Sequence, residues 1–583
     1  MLKLDKFSYS FPEKDLYNKI SFTLEDDQHC AFIGTSGSGK STLIDIIMNP
    51  DDYMYDGKLE IPSHWRIGYV SQFPQLDTEK ETTVFEYIAG NFVNLENEIE
   101  TICTEMETSS DIENLLEKYQ VSLDLFDTID GDNYKNNITK KLNLINLGKY
   151  KDLKVSELSG GEFKLIQVIK EMLNKPNIMI MDEPDVFLDF GNLDDLKELI
   201  NSYKGMILVI THNRYLLNHC FNKIIHLENM ELQEFEGSYI DYNFSLLETK
   251  IELQELAVTD TEEIERNDLI IDRLRIKAEY DSSPSRGKYL KARMKFQERL
   301  HKNRIKMPFV DIKEQSINLK TDDEIEKTIA LKVNNYNVSF DEILLENVNF
   351  EIKSTDKVAI IGSNGTGKTT LMKAIFKNDD SSIEINEDIQ MAYLSQLQGE
   401  ILNEENTITD EFFDIGFKTY TEVIEYVADY GFEEDTIDQK ISSLSGGEKN
   451  ILQLAKVSAT KANMLLLDEP TSHLDTYSQI SLEKAIKEYN GAIIMVSHDF
   501  YSIVNSMDYV LIIEDKTVRR LSIKKFTEIV YNNHFSKNYL ELEKRKKSFE
   551  TKIELALKKT NFEEAKAYVG KLGRTIKELK RVN

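Results

Sequence analysis

Two kinds of apolar pattern alternate along the chain. Short unbroken runs recur at His29–Gly34 (HCAFIG), Ile178–Asp182 (IMIMD), Gly205–Ile210 (GMILVI), Lys357–Gly362 (KVAIIG), Met464–Asp468 (MLLLD) and Tyr509–Ile513 (YVLII). Runs of this length predict strands. Elsewhere apolar residues recur three and four apart. Residues 83–150 do so in EYIAGNFVNLENEIETICTEM and IENLLEKYQ, which predicts a helical insertion. Ser238–Ser283 and Lys288–Met307 contain neither Gly nor Pro, and SSPSRG (Ser282–Gly287) lies between them. Breakers at one point between two long uninterrupted stretches predict a helical hairpin with its tip near 280–289. A helix of about 36 residues would reach roughly 54 Å. Residues 534–583 predict two further short helices.

At 583 residues the chain is long enough for several domains. None of its apolar runs approaches the roughly 20 residues of a membrane-spanning helix. The N-terminal MLKLDKFSYS has no apolar core of a signal peptide, and three scattered cysteines (Cys30, Cys103, Cys220) suit neither disulfides nor zinc. The expected location is a reducing cytoplasm. The net charge of −31 alone argues against nucleic acid, yet it hides an asymmetry. Arg273–Lys306 holds 12 Lys and Arg against 3 Asp and Glu, and Lys537–Asn583 holds 14 against 7. Tyr280, Tyr289 and Phe296 are interleaved with the first basic stretch, which suits RNA, where stacking supplements phosphate contacts. Arg273, Arg275, Lys277, Tyr280, Arg286, Lys288, Tyr289, Lys291, Arg293 and Lys295 are the candidate RNA contacts. The basic tail is either a capping helix pair or a second RNA contact.

One set of motifs occurs twice. GTSGSGKST (Gly34–Thr42), LSGGE (Leu158–Glu162), IMIMDEP (Ile178–Pro184) and a late His212 are matched by GSNGTGKTT (Gly362–Thr370), LSGGE (Leu444–Glu448), MLLLDEP (Met464–Pro470) and His498. The offset between copies is 328 at Gly34, 324 at Gln72, and 286 at Ser159, Asp182 and His212. The first copy therefore carries 38 extra residues between its Gln and its LSGGE, inside the predicted helical insertion.

GxxxxGK[ST] between an apolar strand and a helix is a P-loop, whose glycines let backbone N–H groups converge on phosphates at a helix N-terminus. Its candidate ATP-binding residues are Gly34, Ser36, Gly37, Gly39, Lys40, Ser41 and Thr42 in one copy, and Gly362, Asn364, Gly365, Gly367, Lys368, Thr369 and Thr370 in the other. Lys40 and Lys368 are expected on the β- and γ-phosphates, with Ser41 and Thr369 on Mg2+. Asp182 and Asp468 end strands where a carboxylate would hold the metal, and Glu183 and Glu469 follow, placed to polarise the attacking water.

The LSGGE strings resemble the signature of ABC-type ATPases. The resemblance implies that Ser159, Gly160 and Gly161 close on the nucleotide at Lys368, and Ser445, Gly446 and Gly447 on that at Lys40. It also implies that His212 and His498 sense the γ-phosphate and that Gln72 and Gln396 complete the metal shell. Tyr9 and Phe340 stand where the family stacks an aromatic on adenine; core packing is an equal reading for both. After Walker B the second copy reads EPTSHLD (Glu469–Asp475) and the first EPDVFLD (Glu183–Asp189). The first also has THN where the second has SHD. In this family that D-loop couples the two sites, so the departure bears on whether they hydrolyse at equal rates, and it removes no catalytic group.

Tandem cassettes, an insertion in the first, a basic hairpin between them and GSYIDY (Gly237–Tyr242) leading into it resemble the ABC-F family, and in particular its antibiotic-resistance branch in Gram-positive bacteria. The expected fold is α/β: two tandem P-loop ABC-type nucleotide-binding domains joined by a long α-helical hairpin linker. The expected bounds are 1–242 for the first domain (insertion about 83–150), 243–329 for the linker, 330–533 for the second domain and 534–583 for the basic extension. The resemblance implies an ATPase using ATP and Mg2+, monomeric with its cassettes paired internally. Its partner would be the 70S ribosome, with the linker near 23S rRNA and the P-site tRNA. The protected drugs would be lincosamides, pleuromutilins and streptogramin A. A housekeeping ABC-F translation factor acting on stalled or initiating ribosomes, and a tandem ATPase subunit of a membrane transporter, are the alternative readings.

Overall fold

The unbroken apolar runs form two six-stranded sheets of the same topology. In the first the spatial order is Ile67–Val70, Ile178–Asp182, Met206–Ile210, His29–Ile33, Lys223–Glu228 and Glu231–Glu236. Its counterpart runs Met391–Leu394, Met464–Asp468, Ala492–Val496, Lys357–Ile361, Tyr509–Glu514 and Thr517–Ser522. The first five strands of each are parallel and the sixth is antiparallel. The strands ending in Asp182 and Asp468 are buried at every residue, which explains their lack of apolar–polar alternation. Each sheet is accompanied by a three-stranded antiparallel sheet, centred on Leu2–Ser10 in one cassette and Ile329–Ser339 in the other.

The computed structural model describes residues 1–11, 15–62, 64–72, 81–107, 111–186, 188–256, 271, 294–295, 317–319, 321, 327–340, 343–395, 401–534 and 537–582. The expected hairpin tip lies outside them, as do Gln396, Phe187 and all the candidate RNA contacts except Lys295, which is helical and exposed. Among the described residues no helix is long and apolar enough to cross a membrane.

The insertion in the first cassette holds three helices, Val84–Met106, Ile112–Thr128 and Tyr134–Leu144. The first starts on a capping box between Thr83 and Glu86, which satisfies orphan donors of the first turn. It is pinned by Phe92 stacked on Tyr134 at 4.9 Å.

The chain divides into two compact units. One combines Met1–Ser238 with Glu314–Ile529, and so holds both sheets; the other combines Tyr239–Lys313 with Val530–Asn583. In the second unit the helical residues 239–256 pack with Lys537–Lys558 and Phe562–Val582. Ile240, Ile251, Ile553, Ala565, Leu572 and Ile576 form the buried seam. Lys566–Glu255 (2.6 Å) and Lys580–Asp241 pair along its edge. The basic tail therefore commits an apolar face to the start of the linker. Leu572→Ala should cost about 2–5 kcal/mol of this unit's stability. Hydrogen exchange should accelerate in 239–256 and 537–582 together, and remain unchanged in both sheets.

Candidate functional site

Each P-loop turns through two glycines in the left-handed region, Gly37 (φ 76°) and Gly39 (φ 98°) in the first and Gly365 (φ 79°) and Gly367 (φ 95°) in the second. L-residues with a Cβ rarely adopt these angles. The helices that follow begin at Lys40 and Lys368. Lys40 Nζ donates to the carbonyls of Gly34 (2.9 Å) and Thr35 (2.8 Å), and Lys368 Nζ to those of Gly362 and Ser363 (2.9 Å each). Burial pulls both ammonium pKa values down.

Behind each P-loop stands the carboxylate that ends its strand. Burial pushes Asp182 up to about 6, with the neighbouring Glu183 charge adding to the effect and a hydrogen bond from Ser41 opposing it. Burial also raises Asp468, opposed by hydrogen bonds from Thr369 and Tyr393. Asp182 Oδ1 and Asp468 Oδ1 are buried without a hydrogen-bond partner among the described residues. A buried carboxylate oxygen left in this way is costly, and a divalent cation beside Ser41 or Thr369 would satisfy it. The residues therefore fit Mg2+.

Both cassettes lie in one unit, and their motifs interlock. Asp475 Oδ1 caps its own helix by accepting from Ser478 N (2.8 Å), while Oδ2 accepts from Ser36 N of the first P-loop (3.2 Å). Asp189 repeats this in reverse, accepting from Asn192 N (3.0 Å) and from Asn364 N of the second P-loop (3.1 Å). The second LSGGE lies against the first P-loop: a Cβ on Gly447 would stand 2.3 Å from Ser36 Oγ, and one on Gly37 would stand 3.1 Å from Glu448 Oε1. The first LSGGE and Asn364–Gly365 instead line a cavity of about 410 Å³ that also reaches Glu183, Glu469, His212 and His498. Gly160 and Gly365 have open space where a Cβ would stand.

Some expected residues are engaged differently from the sequence reading. The Ser159 and Ser445 hydroxyls donate to Glu162 (2.8 Å) and Glu448 (2.7 Å) in capping boxes. Tyr9 packs edge-on against Phe11 and Tyr53, at 5.3 and 5.7 Å, whereas Phe340 is 73% exposed. Burial pushes His212 and His498 down, His498 to about 4, so their rings are neutral at physiological pH. His498 N donates to Glu469 Oε2 at 3.3 Å. Burial and the adjacent Asp468 charge raise Glu469. At Glu183 burial acts in the same direction, but His473, His212 and Lys40 outweigh it and hold the carboxyl low.

Three residues with no assigned role in the sequence reading join this site. His473 Nδ1 reaches across the cassettes to Glu183 Oε2 (3.2 Å) and Gln72 Nε2 (2.9 Å). Lys164 is 2% exposed, with Nζ donating to the carbonyls of Gln72 (2.9 Å) and Ser71. Arg214 Nη2 bonds Glu483 Oε1 (2.5 Å) and Asp499 Oδ2 (2.8 Å) of the other cassette. The signal for Arg214 was present: its acceptor Asp499 is the D of SHD, where the first copy has Asn213.

Comparison with known proteins agrees with the motifs. The profile of the ABC transporter family matches residues 17–186 and 345–472. Over 524 residues the chain is 29% identical to YfmM of Bacillus subtilis (strain 168), an uncharacterized ABC transporter ATP-binding protein, covering 86% of this chain and 96% of that one. Over 537 residues it is 28% identical to the energy-dependent translational throttle protein EttA of Escherichia coli (strain K12), covering 89% and 92%. Among solved structures, a chain of the complex between archaeal ribosomal stalk protein aP1 and archaeal ribosome recycling factor aABCE1 has the same fold, with a TM-score of 0.52 at 16% identity over 90% of this chain and 92% of that one.

Arg214→Ala would leave Glu483 and Asp499 buried without their cation, at a cost of about 3 kcal/mol. Chemical denaturation of Arg214→Ala, Glu483→Gln and the double variant checks this. The double variant should be destabilised by clearly less than the sum of the single variants.

Proposed function

The chain belongs to the ABC transporter family and is an ATPase, and from that premise we propose that it is an ABC-F protein that uses ATP to act on the ribosome in the cytoplasm. The observation that carries this reading is the likeness to a translational throttle protein across 537 residues, a span that takes in both cassettes and the segment between them. The basic, aromatic-bearing stretch Arg273–Lys306 supports it, because a segment of that charge and aromatic content has an evident use on RNA and none on a transporter's membrane subunits.

At each site the P-loop N–H groups and Lys40 or Lys368 bind the phosphates. Mg2+ would be held by Ser41, Asp182 and Gln72 at one site and by Thr369, Asp468 and Gln396 at the other; bound there, it neutralises charge on the β- and γ-phosphates. Glu183 and Glu469 orient the water whose oxygen bonds to the γ-phosphorus as the bond to the bridging oxygen breaks, giving ADP and phosphate. His212 and His498, neutral, contact the γ-phosphate. Each LSGGE completes the site of the opposite cassette.

ATP closes the cassettes and fixes the linker, whose tip near 280–289 approaches the P-site tRNA and 23S rRNA. In the finer reading this displaces lincosamides, pleuromutilins and streptogramin A from the peptidyl-transferase centre. The likeness to the throttle protein favours a second reading, a translation factor that acts without drug.

The variant carrying both Glu183→Gln and Glu469→Gln should co-sediment with 70S ribosomes in ATP while hydrolysing little of it. Normal turnover without co-sedimentation would defeat the ribosome reading. Deleting Ser282–Gly287 should leave ATP hydrolysis intact and abolish protection in a drug-susceptibility panel. Altered ribosome profiles without drug, together with unchanged susceptibility, would instead select the translation factor.

A further inference from the structure

The two ATP sites are built from matching motifs, but one side chain distinguishes them. His473 belongs to the D-loop of the second cassette, and its ring lies in the first cassette's site. It is 13% exposed there. Two groups hold the residue. Its carbonyl accepts from Ser36 Oγ of the first P-loop (3.4 Å), and Gly446 at the start of its own signature helix lies behind the ring, where a Cβ would stand 3.4 Å from it. In front, Gln72 Nε2 donates to Glu183 Oε2 at 2.6 Å, and Nδ1 lies within hydrogen-bond distance of both. In one tautomer Nδ1 accepts the second amide hydrogen of Gln72; in the other it donates directly to Glu183. Either way the imidazole closes a triangle that fixes the carboxylate's rotamer.

The first copy cannot reciprocate. The offset of 286 places Phe187 at the position matching His473, and a phenyl ring has no hydrogen-bonding atom. At the Lys368 site, Glu469 has its own cassette's His498 beside it, and both line the cavity.

We propose that His473 is a positioning residue for hydrolysis at the Lys40 site alone, acting across the cassette interface through Glu183 and Gln72. Hydrolysis at that site then requires the opposite D-loop to be docked, and the Lys368 site lacks this requirement. The two sites are unequal by construction. The proposal rests on Glu183 and Glu469 being the water-orienting carboxylates.

The test uses the full-length protein and measures ADP formed per site, in single turnover and at steady state. Glu469→Gln leaves the Lys40 site to be read, and Glu183→Gln leaves the Lys368 site. In the Glu469→Gln background, His473→Ala should lower kcat by about tenfold or more, the scale expected when a reacting group is misplaced, with the KM for ATP changed by less than about twofold. His473→Asn, whose amide can stand where Nδ1 stands, should restore most of the loss. In the Glu183→Gln background, His473→Ala should leave the rate within about twofold of its parent. An equal fall in both backgrounds, no fall in the first, or no rescue by Asn overturns the proposal. If neither Gln substitution lowers ADP formation, the assignment of the carboxylates fails and the proposal falls with it. A response to Gln with none to His473→Ala defeats this proposal alone.

Discussion

Two aspartates hold the ATPase unit in its closed arrangement. Asp189 and Asp475 each use one carboxylate oxygen to cap a helix of their own cassette and the other to accept from a P-loop N–H of the opposite cassette. The cap fixes the carboxylate before the cassettes meet, so little side-chain freedom is left to lose on docking. The acceptor is anionic and the donor lies in a loop rich in inward-turned N–H groups, which makes these charge-assisted bonds. Whatever moves a D-loop therefore moves the opposite P-loop by direct contact.

On this symmetric frame the two copies diverge in matched sets. Asp185 replaces the second copy's Thr471, and its buried carboxyl, pushed up to about 6 by burial, takes a hydrogen bond from Thr211 at 2.6 Å. An added buried charge needs a partner, and the signature helix supplies Lys164 where the second copy has Asn450. Asn450 instead bonds its own D-loop through the carbonyls of Pro470 (3.2 Å) and Ser472 (2.6 Å). Likewise Arg214 faces Asp499 and Glu483, while the residue matching it in the second copy, Phe500, packs edge-on against Phe190 of the first at 5.9 Å. Both of these departures from the repeat are answered by another residue.

The legible part of this site was the part set by local chain geometry. P-loop glycines, strand-ending carboxylates and LSGGE helix starts carry their meaning within a few residues, and the structure places them at adjoining strand and helix ends. The six unbroken apolar runs were legible as strands for the same reason. His473, Lys164 and Arg214 were not, because their roles depend on what faces them. His473 stood in plain view in EPTSHLD, yet its contacts belong to the other cassette, more than 280 positions away along the chain. The capping boxes could have been read: Ser followed three residues later by Glu is a helix-start signature, and here it claims the hydroxyls that the motif reading had aimed at phosphate.

Unequal sites also bear on how such a clamp is released. A ligand shifts a conformational equilibrium only by the difference in its contacts between the two states. The aspartate caps and the Arg214 pairs join the two cassettes directly, so they set the baseline from which ATP works. At the Lys40 site the second LSGGE and His473 bear directly on the P-loop, so bound nucleotide there gains contacts only on closure. At the Lys368 side Gly160 and Gly365 line the cavity, with open space where a Cβ would stand. Equal occupancy would thus exert unequal closing force, and the tightly apposed site is also the one whose carboxylate is tied to the opposite D-loop. Coupling closure and hydrolysis at a single site lets the other nucleotide contribute to holding the clamp without timing its release.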